Sequence, residues 1–317
     1  MHDNGRPVER LLAEADLSYV SPDFPDLPIP VLSVAAFFRN ACQAEGPDIG
    51  CRVVSETTVL ELAMIGKVAL GARTPREAIA RVAAALPYHC SVEQIVIHAD
   101  AKGLTLQEGL SIRLDSETLH VAQQFIASTI AVLLGMSGAA PPLVERIEMV
   151  PHPVSGLDHL LPWLGPVVVP AKSRALTIRV ASRVADAPFH RVARDRMAVM
   201  SFSGLVPMSA DGTLAGSARM LMAGMLLSET PTIQQLAAAA GQSVRTFQRR
   251  LLDEGTAFSL LLDDVRHDSA LKEIAARQVT LSSLSASLGY SRQAALTRAV
   301  RRWTGRTPTE LRSARRN

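Results

Sequence analysis

The chain has 317 residues and a formal net charge of +3, with 48% hydrophobic and 4% aromatic residues. This length is enough for two domains, and this apolar content excludes a broadly disordered chain. The three cysteines, Cys42, Cys51 and Cys90, include no C-x-x-C pair, which argues against a disulfide framework or a zinc ribbon and indicates a reducing compartment. The opening “MHDNGRPVERLL” contains no apolar signal core, so we expect a cytoplasmic protein.

The first hundred residues predict mainly helices. Prolines punctuate the start of the chain, so residues 1–27 are expected to form an extended arm. Helices are predicted at Val31–Gly46 and at Val59–Ala72. The stretch “TPREAIARVAAALP” contains a helix start, in which Thr74 is the N-cap and Glu77 completes a capping box.

Short β-strands follow, and together with the helices they predict an α+β domain. The candidate strands are Val92–Ala99, Leu104–Leu114, Val144–Val150, the segment “VVVP” and Ala175–Val180. Between the second and the third lies the most apolar helix candidate, “LHVAQQFIASTIAVLLGM”. Its continuous apolar run is too short to span a bilayer, and we expect a buried core helix.

The C-terminal part differs in both composition and charge. Residues 204–216 are rich in glycine and serine and are predicted to be a linker, and the chain after them is predicted to be helical, with a long helix at Phe258–Ala276. Residues 228–317 hold 14 Lys and Arg against 8 Asp and Glu, whereas residues 1–227 hold 19 against 22. A basic C-terminal part on an acidic body indicates a module that binds a polyanion.

Two stretches of the C-terminal part repeat one plan. “LAAAAGQSVRTFQRRL” has a helix of small residues, a turn at Gly241 and a basic helix, and “LSASLGYSRQAALTRAV” repeats this plan around Gly289, 48 residues later. This is the plan of the helix-turn-helix motif, in which the first helix packs against the second. The outer face of the second helix then enters the major groove of DNA.

The helical period assigns the two faces of each second helix. Phe247 and Leu296 fall on the buried sides, and the opposite faces carry side chains that can hydrogen-bond to base edges. The residues predicted to contact DNA are Arg245, Gln248, Arg249, Arg292, Gln293, Thr297 and Arg298. Because Ala294 and Ala295 offer no side-chain hydrogen bonds, we expect the first motif to supply more of the sequence specificity.

The phrases “TFQRRLLDEGTAFSLLLDDVR”, “LGYS” and “RRWTGRTPTELR” resemble the C-terminal DNA-binding domain of AraC-type transcriptional regulators, over residues 217–317. The second motif departs from that family at Ala294, Leu296 and Val300, where Ser, Phe and Phe are usual. “IPVLSVAAFF”, “ELAMIGKVALGARTPREAIARVAAALPYH” and “PVVVPAKSRALTIRVA” resemble the N-terminal arabinose-binding type of domain found in ornithine- and arginine-responsive regulators.

These resemblances imply an α+β sensor domain over residues 28–203 and an all-α domain over residues 217–317, in which a long helix joins two helix-turn-helix motifs. They imply a sequence-specific transcriptional regulator. Its partners would be double-stranded promoter DNA, a small-molecule effector, a second copy of the chain in a homodimer, and RNA polymerase. No membrane partner is expected.

Two alternative functions stay open. The first is a protein-interaction module whose basic domain is vestigial. The second is a regulator that responds to a cyclic dinucleotide, because Arg6 and Arg10 have the R-x-x-x-R spacing that clamps phosphates and Asp211–Gly216 loosely resembles the companion motif of such receptors.

Catalytic and metal-binding motifs are absent from the sequence. It contains no G-x-S-x-G, H-E-x-x-H or G-x-x-x-x-G-K-[ST] pattern. His89 adjoins Cys90, and His152 lies seven residues before His159, but neither pair has the spacing of a metal site. We therefore expect no enzymatic activity, no cofactor and no metal ligands.

Overall fold

The computed structural model describes residues 8–21, 23, 27–189, 212–276 and 279–314. These residues form two compact units. The N-terminal unit contains residues 8–15 and 33–189, and the C-terminal unit contains the described residues of 16–32 and those from 212 onward. The strands lie in the N-terminal unit, and the C-terminal unit is helical.

From the start of the chain to residue 189, the helices are α1 (Val8–Glu14), α2 (Val31–Glu45), α3 (Ile49–Arg52), α4 (Thr58–Glu61), α5 (Ala63–Leu70), α6 (Pro75–Ala85), α7 (Ser116–Gly135), α8 (Leu161–Leu164) and α9 (Ser182–Ala185). The strands are β1 (Glu93–Ala99), β2 (Gly103–Leu110), β3 (Arg146–Met149), β4 (Val168–Pro170) and β5 (Leu176–Ala181). They form one sheet in the order β1-β2-β5-β3-β4. All neighbours are antiparallel except β3 and β4, which are parallel.

The core of the N-terminal unit lies on one face of this sheet. Alternate residues of β2 and β5, such as Leu104, Leu106 and Ile178, are almost completely buried in a cluster that also contains Leu134 of α7. Burial of these side chains is the main stabilising contribution, about 25 cal/mol for each Å² of apolar surface. The five predicted strands are confirmed, since each has a counterpart in the sheet.

Helix α7 begins after Asp115, whose carboxylate accepts a hydrogen bond of 2.9 Å from the Thr118 amide. Among the described residues, α7 alone is long and apolar enough to cross a membrane, but 61% of its most apolar 18-residue stretch is buried within the protein. This burial is what a core helix shows, and it agrees with the prediction for this segment.

The prediction of a single helix over Val59–Ala72 is wrong. The segment contains two helices, α4 and α5, with a break at Ala63, which has a φ of 46°. Helix α5 folds back so closely that a Cβ on Gly66 would lie 2.0 Å from the carbonyl oxygen of Val59. The glycine therefore permits an approach that the helical periodicity alone does not reveal.

The prediction of an extended arm is wrong for residues 8–14, which form α1. Leu11 is buried, and Arg10 pairs with Glu14 one helical turn away, at 2.7 Å. Prolines are absent from residues 8–21, so nothing in this stretch opposes a helix. Residues 1–7 of the predicted arm lie outside the described residues.

Helix α6 begins where predicted, but its capping differs. Thr74 Oγ1 accepts a hydrogen bond of 3.3 Å from the Glu77 amide, as an N-cap does. The Glu77 carboxylate accepts from the Arg73 amide at 2.9 Å, and not from the amide of Thr74. The start of the helix is confirmed, and the capping box is replaced by a bond to the preceding residue.

The helices of the C-terminal unit are α10 (Leu214–Met225), α11 (Ile233–Ala239), α12 (Val244–Asp253), α13 (Phe258–Ala276), α14 (Leu281–Ser287), α15 (Gln293–Thr304) and α16 (Pro308–Ala314). Helix α10 starts inside the segment predicted as a linker, and Thr213 is its N-cap. Residues 204–211 of that predicted linker lie outside the described residues. The first two amides of α10 donate hydrogen bonds to Glu254, at 2.9 and 2.8 Å, which ties the end of α12 to the start of α10.

The segment before α2 also belongs to the C-terminal unit. Ser228 Oγ donates a hydrogen bond of 3.1 Å to the carbonyl of Tyr19, whose side chain is buried. Pro28 packs against Gly224 of α10, where a Cβ would lie 3.1 Å from the proline ring. The arm and sensor boundaries at residues 27 and 28 remain predictions.

Candidate nucleic-acid interface

The two predicted motifs have the same turn. Gly241 ends the first helix of one motif and Gly289 that of the other, with φ of 63° and 71°, in the left-handed region that favours glycine. The same backbone hydrogen bond of 2.9 Å closes each turn, from Gln242 N to Ala237 O and from Tyr290 N to Ser285 O. The repeat seen in the sequence is therefore a repeat of backbone structure.

The starts of the helices are also related. Thr232 Oγ1 caps α11 by accepting from the Gln235 amide at 3.3 Å, and Thr280 Oγ1 caps α14 by accepting at 3.0 Å. Ser243 caps α12, whereas Arg292 gives α15 no side-chain cap. The connection from Gly289 to α15 is one residue longer than that from Gly241 to α12. In each second helix the fourth residue is the buried one, so Leu296 of α15 corresponds to Phe247 of α12.

The inner faces of the second helices are buried as predicted. Phe247 and Leu251 of α12 are 1% and 0% exposed, and Leu296 and Val300 of α15 are both 0% exposed. Small residues on the first helices, such as Ala237, are buried against them. Each second helix therefore has one side fixed in a core and the other side directed to solvent.

The predicted DNA-contacting residues lie on those outer faces, in one group for each motif. Arg245, Gln248 and Arg249 of α12 are exposed, and none of their side chains makes an ion pair or hydrogen bond within the part of the chain that the structure describes. In the second motif the exposed residues are Arg292, Gln293 and Arg298. Thr297 is half-buried, and its Oγ1 donates to the Gln293 carbonyl at 3.2 Å. Its hydroxyl proton is thus already used within the helix.

The long helix α13 anchors the second motif. These anchoring contacts were not predicted from the sequence. Arg266 Nε donates a hydrogen bond of 2.8 Å to the Leu288 carbonyl, and its guanidinium lies 4.8 Å from the centre of the Tyr290 ring. Asp263 accepts two hydrogen bonds from Arg302, at 2.6 and 2.8 Å, and one from Trp303 at 2.9 Å. These contacts join residues 22 to 40 positions apart, so no local pattern announces them.

Replacement of Gly289 by alanine is expected to destabilise the second motif by more than the backbone strain of a left-handed alanine alone. A Cβ there would lie 2.1 Å from Thr230 Oγ1, in addition to the strain of a left-handed alanine. The matched control is Gly305→Ala, with a similar φ of 73° and no atom of the described residues within 4 Å of the new Cβ. Urea unfolding should give a loss of ~1–2 kcal/mol for the control and about 1 kcal/mol more for Gly289→Ala. Equal losses would contradict the close packing of this turn.

The N-terminal unit contains a polar cluster that sequence spacing did not indicate. The rings of His120, His152 and His159 lie together, with centroids 5.1 to 6.0 Å apart. Burial lowers the pKa of His120 to about 4. The hydrogen bond from its Nδ1 to the Val150 carbonyl oxygen, 2.6 Å, raises this pKa, but by less than burial lowers it. Cys42 lies in the same unit, and burial together with Glu117 raises the pKa of its thiol to about 11, which is unsuited to a nucleophile at neutral pH.

The residues proposed for cyclic-dinucleotide binding are only partly described. Arg6 and Asp211 lie outside the described residues. Arg10 is exposed and pairs with Glu14. This alternative function therefore stays a prediction.

Comparison with known proteins assigns both parts of the chain. Residues 236–314 match the family model “Helix-turn-helix domain”, and residues 5–151 match “Arabinose-binding domain of AraC transcription regulator, N-term”. The ornithine utilization regulator of Pseudomonas aeruginosa is 33% identical over 104 residues, which are 33% of this chain and 30% of that protein. The transcriptional regulator VirS of Mycobacterium tuberculosis is 42% identical over 69 residues, 22% of this chain and 20% of that protein.

Among solved structures, the transcriptional regulator CdpR of Pseudomonas aeruginosa aligns over 98% of both chains, with 18% identity and a TM-score of 0.40. The matched stretches span less than a third of the two curated relatives. The two family models fall on the two parts of the sequence that resemble AraC-type regulators, and they confirm that resemblance. The chain belongs to the AraC family of transcriptional regulators.

Proposed function

We propose that this protein binds specific promoter sequences and regulates transcription. The observation that carries the proposal is the pair of helix-turn-helix motifs with the same glycine turn, each with one buried and one exposed face on its second helix. The major groove is ~12 Å wide and accepts one helix. Helix α13 has 19 residues and a length of ~28 Å, close to the ~34 Å repeat of successive major grooves.

The base-reading role is assigned to the exposed face of each second helix. In the first motif, Arg245, Gln248 and Arg249 have no competing partner among the described side chains, and Arg and Gln bind guanine and adenine through two hydrogen bonds. In the second motif the proposed contacts are Arg292, Gln293, Thr297 and Arg298. Since the hydroxyl of Thr297 is bonded to its own helix and Ala294 is exposed between these residues, the first motif should dominate specificity.

The proposed sensor domain is supported by the match to the arabinose-binding type of domain over residues 5–151, and the proposed DNA-binding domain by the helix-turn-helix match over residues 236–314. The sensor domain at residues 28–203 binds a small-molecule effector and forms a homodimer, and the DNA-binding domain occupies residues 217–317. The regulator acts in the cytoplasm on double-stranded promoter DNA and meets RNA polymerase there. Effector binding changes the fraction of molecules that are competent to bind DNA.

Arg249→Ala is expected to weaken operator binding by ~1–3 kcal/mol and to relax the preference at one base position, because it removes a side chain that contacts two atoms of one base. The operator is first identified by sequencing the DNA that the full-length protein selects from genomic fragments. Binding to this operator and to a scrambled duplex is then measured across a salt series.

The matched control is Arg113→Ala, which removes an exposed arginine of the N-terminal unit and should leave binding to both duplexes unchanged. Equal losses of affinity for operator and scrambled DNA in Arg249→Ala would show that Arg249 contacts phosphate. If the full-length protein selects no sequence at all, the alternative of a vestigial basic domain is supported instead.

A further inference from the structure

A group of sulfur, oxygen and nitrogen donors lies in the N-terminal unit, with Cys42 and His152 buried and Glu117 half-buried. Cys42 comes from α2, Glu117 from the first turn of α7, and His152 from the turn after β3. One potential ligand atom of each lies within 4.8 Å of the others. Glu117 Oε1 is 3.8 Å from Cys42 Sγ and 3.6 Å from His152 Nε2.

These separations are close to those around a single tetrahedral ion. Zinc binds sulfur at ~2.3 Å, nitrogen at ~2.0 Å and carboxylate oxygen at ~2.1 Å, so two ligand atoms on one zinc stand roughly 3.4–3.6 Å apart. The observed distances of 3.6 and 3.8 Å differ from this range by a few tenths of an ångström at most. The ligand atoms of the third pair, Cys42 and His152, lie within 4.8 Å of each other, so side-chain rotation must shorten that distance by up to about 1.3 Å to bring all three donors onto one ion.

The burial of His152 is an independent indication of a ligand. Its side chain is 8% exposed, and its Nε2, which faces Glu117, has no hydrogen-bond partner among the described residues. A buried polar nitrogen without a partner destabilises the fold unless something binds it. The rings of His120 and His159 complete the wall of this site, with centroids 5.5 and 6.0 Å from that of His152.

The chemistry of the donors selects the class of ion. Thiolate and imidazole favour zinc and its transition-metal neighbours, whereas magnesium and calcium prefer oxygen ligands. A thiolate and a carboxylate also balance the two charges of a divalent ion, so the buried site carries no net charge. We propose that Cys42, Glu117 and His152 bind one divalent transition-metal ion of the zinc class, with a fourth position left for water or an external ligand.

Metal binding at His152 would also change the turn that follows it. The amides of Val154 and Ser155 donate to His152 Nδ1 at 3.2 and 3.0 Å, so the neutral ring carries its proton on Nε2. An ion on Nε2 takes the place of that proton. The proton of the neutral ring is then on Nδ1, so Nδ1 donates a hydrogen bond and can no longer accept one. Both amides must therefore leave Nδ1. The turn bears Val154, which is 89% exposed, and it has room to move outward.

The test uses the full-length protein, stripped with a chelator and titrated with Zn²⁺ and with Co²⁺. One ion should bind per chain, and the cobalt form should show a thiolate-to-cobalt charge-transfer band. Cys42→Ser should lose this band, and Glu117→Gln and His152→Gln should weaken metal binding by ~100-fold or more. Substitution of residues that only hydrogen-bond to the ligands already lowers metal affinity by ~10- to 100-fold. Zn²⁺ should raise the melting temperature of the unsubstituted protein, and should raise it less or not at all in these three variants.

The matched control is Cys90→Ser, at a half-buried cysteine of the same unit that is not in the cluster, and it should keep the band and the affinity. Melting curves without added metal show whether each variant is folded. Absence of a charge-transfer band in the unsubstituted protein, or its survival in folded Cys42→Ser, would overturn the proposal in favour of a hydrogen-bonded Cys–Glu–His group. DNA binding is not used in this test, so its outcome is separate from that of the proposed regulation.

Discussion

Phe247→Ala is expected to destabilise the C-terminal unit by ~3–5 kcal/mol, the range for deleting a fully buried aromatic ring. Phe247 lies on the second helix of the first motif and is 1% exposed. The loss should appear in urea unfolding followed by the fluorescence of Trp303, in a Trp163→Phe background that leaves Trp303 as the only tryptophan. Operator binding should fall because fewer molecules are folded, with no change in base preference.

The matched control is Leu252→Ala, on the same helix, where the leucine is 66% exposed. It should cost less than ~0.5 kcal/mol, as surface substitutions usually do. If the two variants unfold at the same urea concentration, α12 does not present Phe247 to a core, and the assignment of its outer face to DNA fails as well.

The second large effect is a dependence of stability on pH that arises from Glu108. This residue lies on β2, is 1% exposed, and neither of its carboxylate oxygens has a hydrogen-bond partner among the described residues. Burial, and then the nearby Glu93, raise its pKa from 4.5 to about 8. Between these two values the folded protein holds a proton that the unfolded chain has released.

The free energy of unfolding should therefore fall as the pH rises from 4.5 to about 8, by on the order of 5 kcal/mol from this group. Glu108→Gln cannot ionise, so it should remove this part of the pH dependence. Below pH 4.5, where Glu108 is neutral in both states, the two proteins should differ only by a constant.

Urea unfolding at several pH values, followed by Trp163 fluorescence in a Trp303→Phe background, measures this effect in the N-terminal unit. Glu56→Gln, at an exposed glutamate of the same unit, is the control and should retain the full pH dependence. A Glu108→Gln protein with the same pH profile as the unsubstituted chain would show that folding does not raise the pKa of Glu108.

Features set by neighbouring residues were predictable. The five strands and the two motifs follow from local periodicity and turn residues, and Thr74, Thr232 and Ser243 begin helices as their side chains allow. The 48-residue repeat between Gly241 and Gly289 was visible because a left-handed turn favours glycine. The faces of α12 and α15 followed from 3.6 residues per turn.

Features set by packing between separate elements were not predictable from local patterns. The break between α4 and α5 depends on how closely Gly66 approaches Val59, and the packing of the segment around Tyr19 with Ser228 joins residues 209 positions apart. The anchoring of the second motif by Arg266 and Asp263 is likewise a matter of packing between helices.

By itself the sequence determined the family, the α+β and all-α parts, and the buried and exposed faces of α12 and α15, because each depends on spacings of a few residues. Only the tertiary structure brought Cys42, Glu117 and His152 within 4.8 Å of one another, from three separate elements. It also buried Glu108, whose carboxylate has no hydrogen-bond partner in the described part of the chain, on a strand whose residues alternate between two faces. Ligand groups and perturbed carboxylates of this kind depend on which segments pack together, and that is decided by the burial of the whole core.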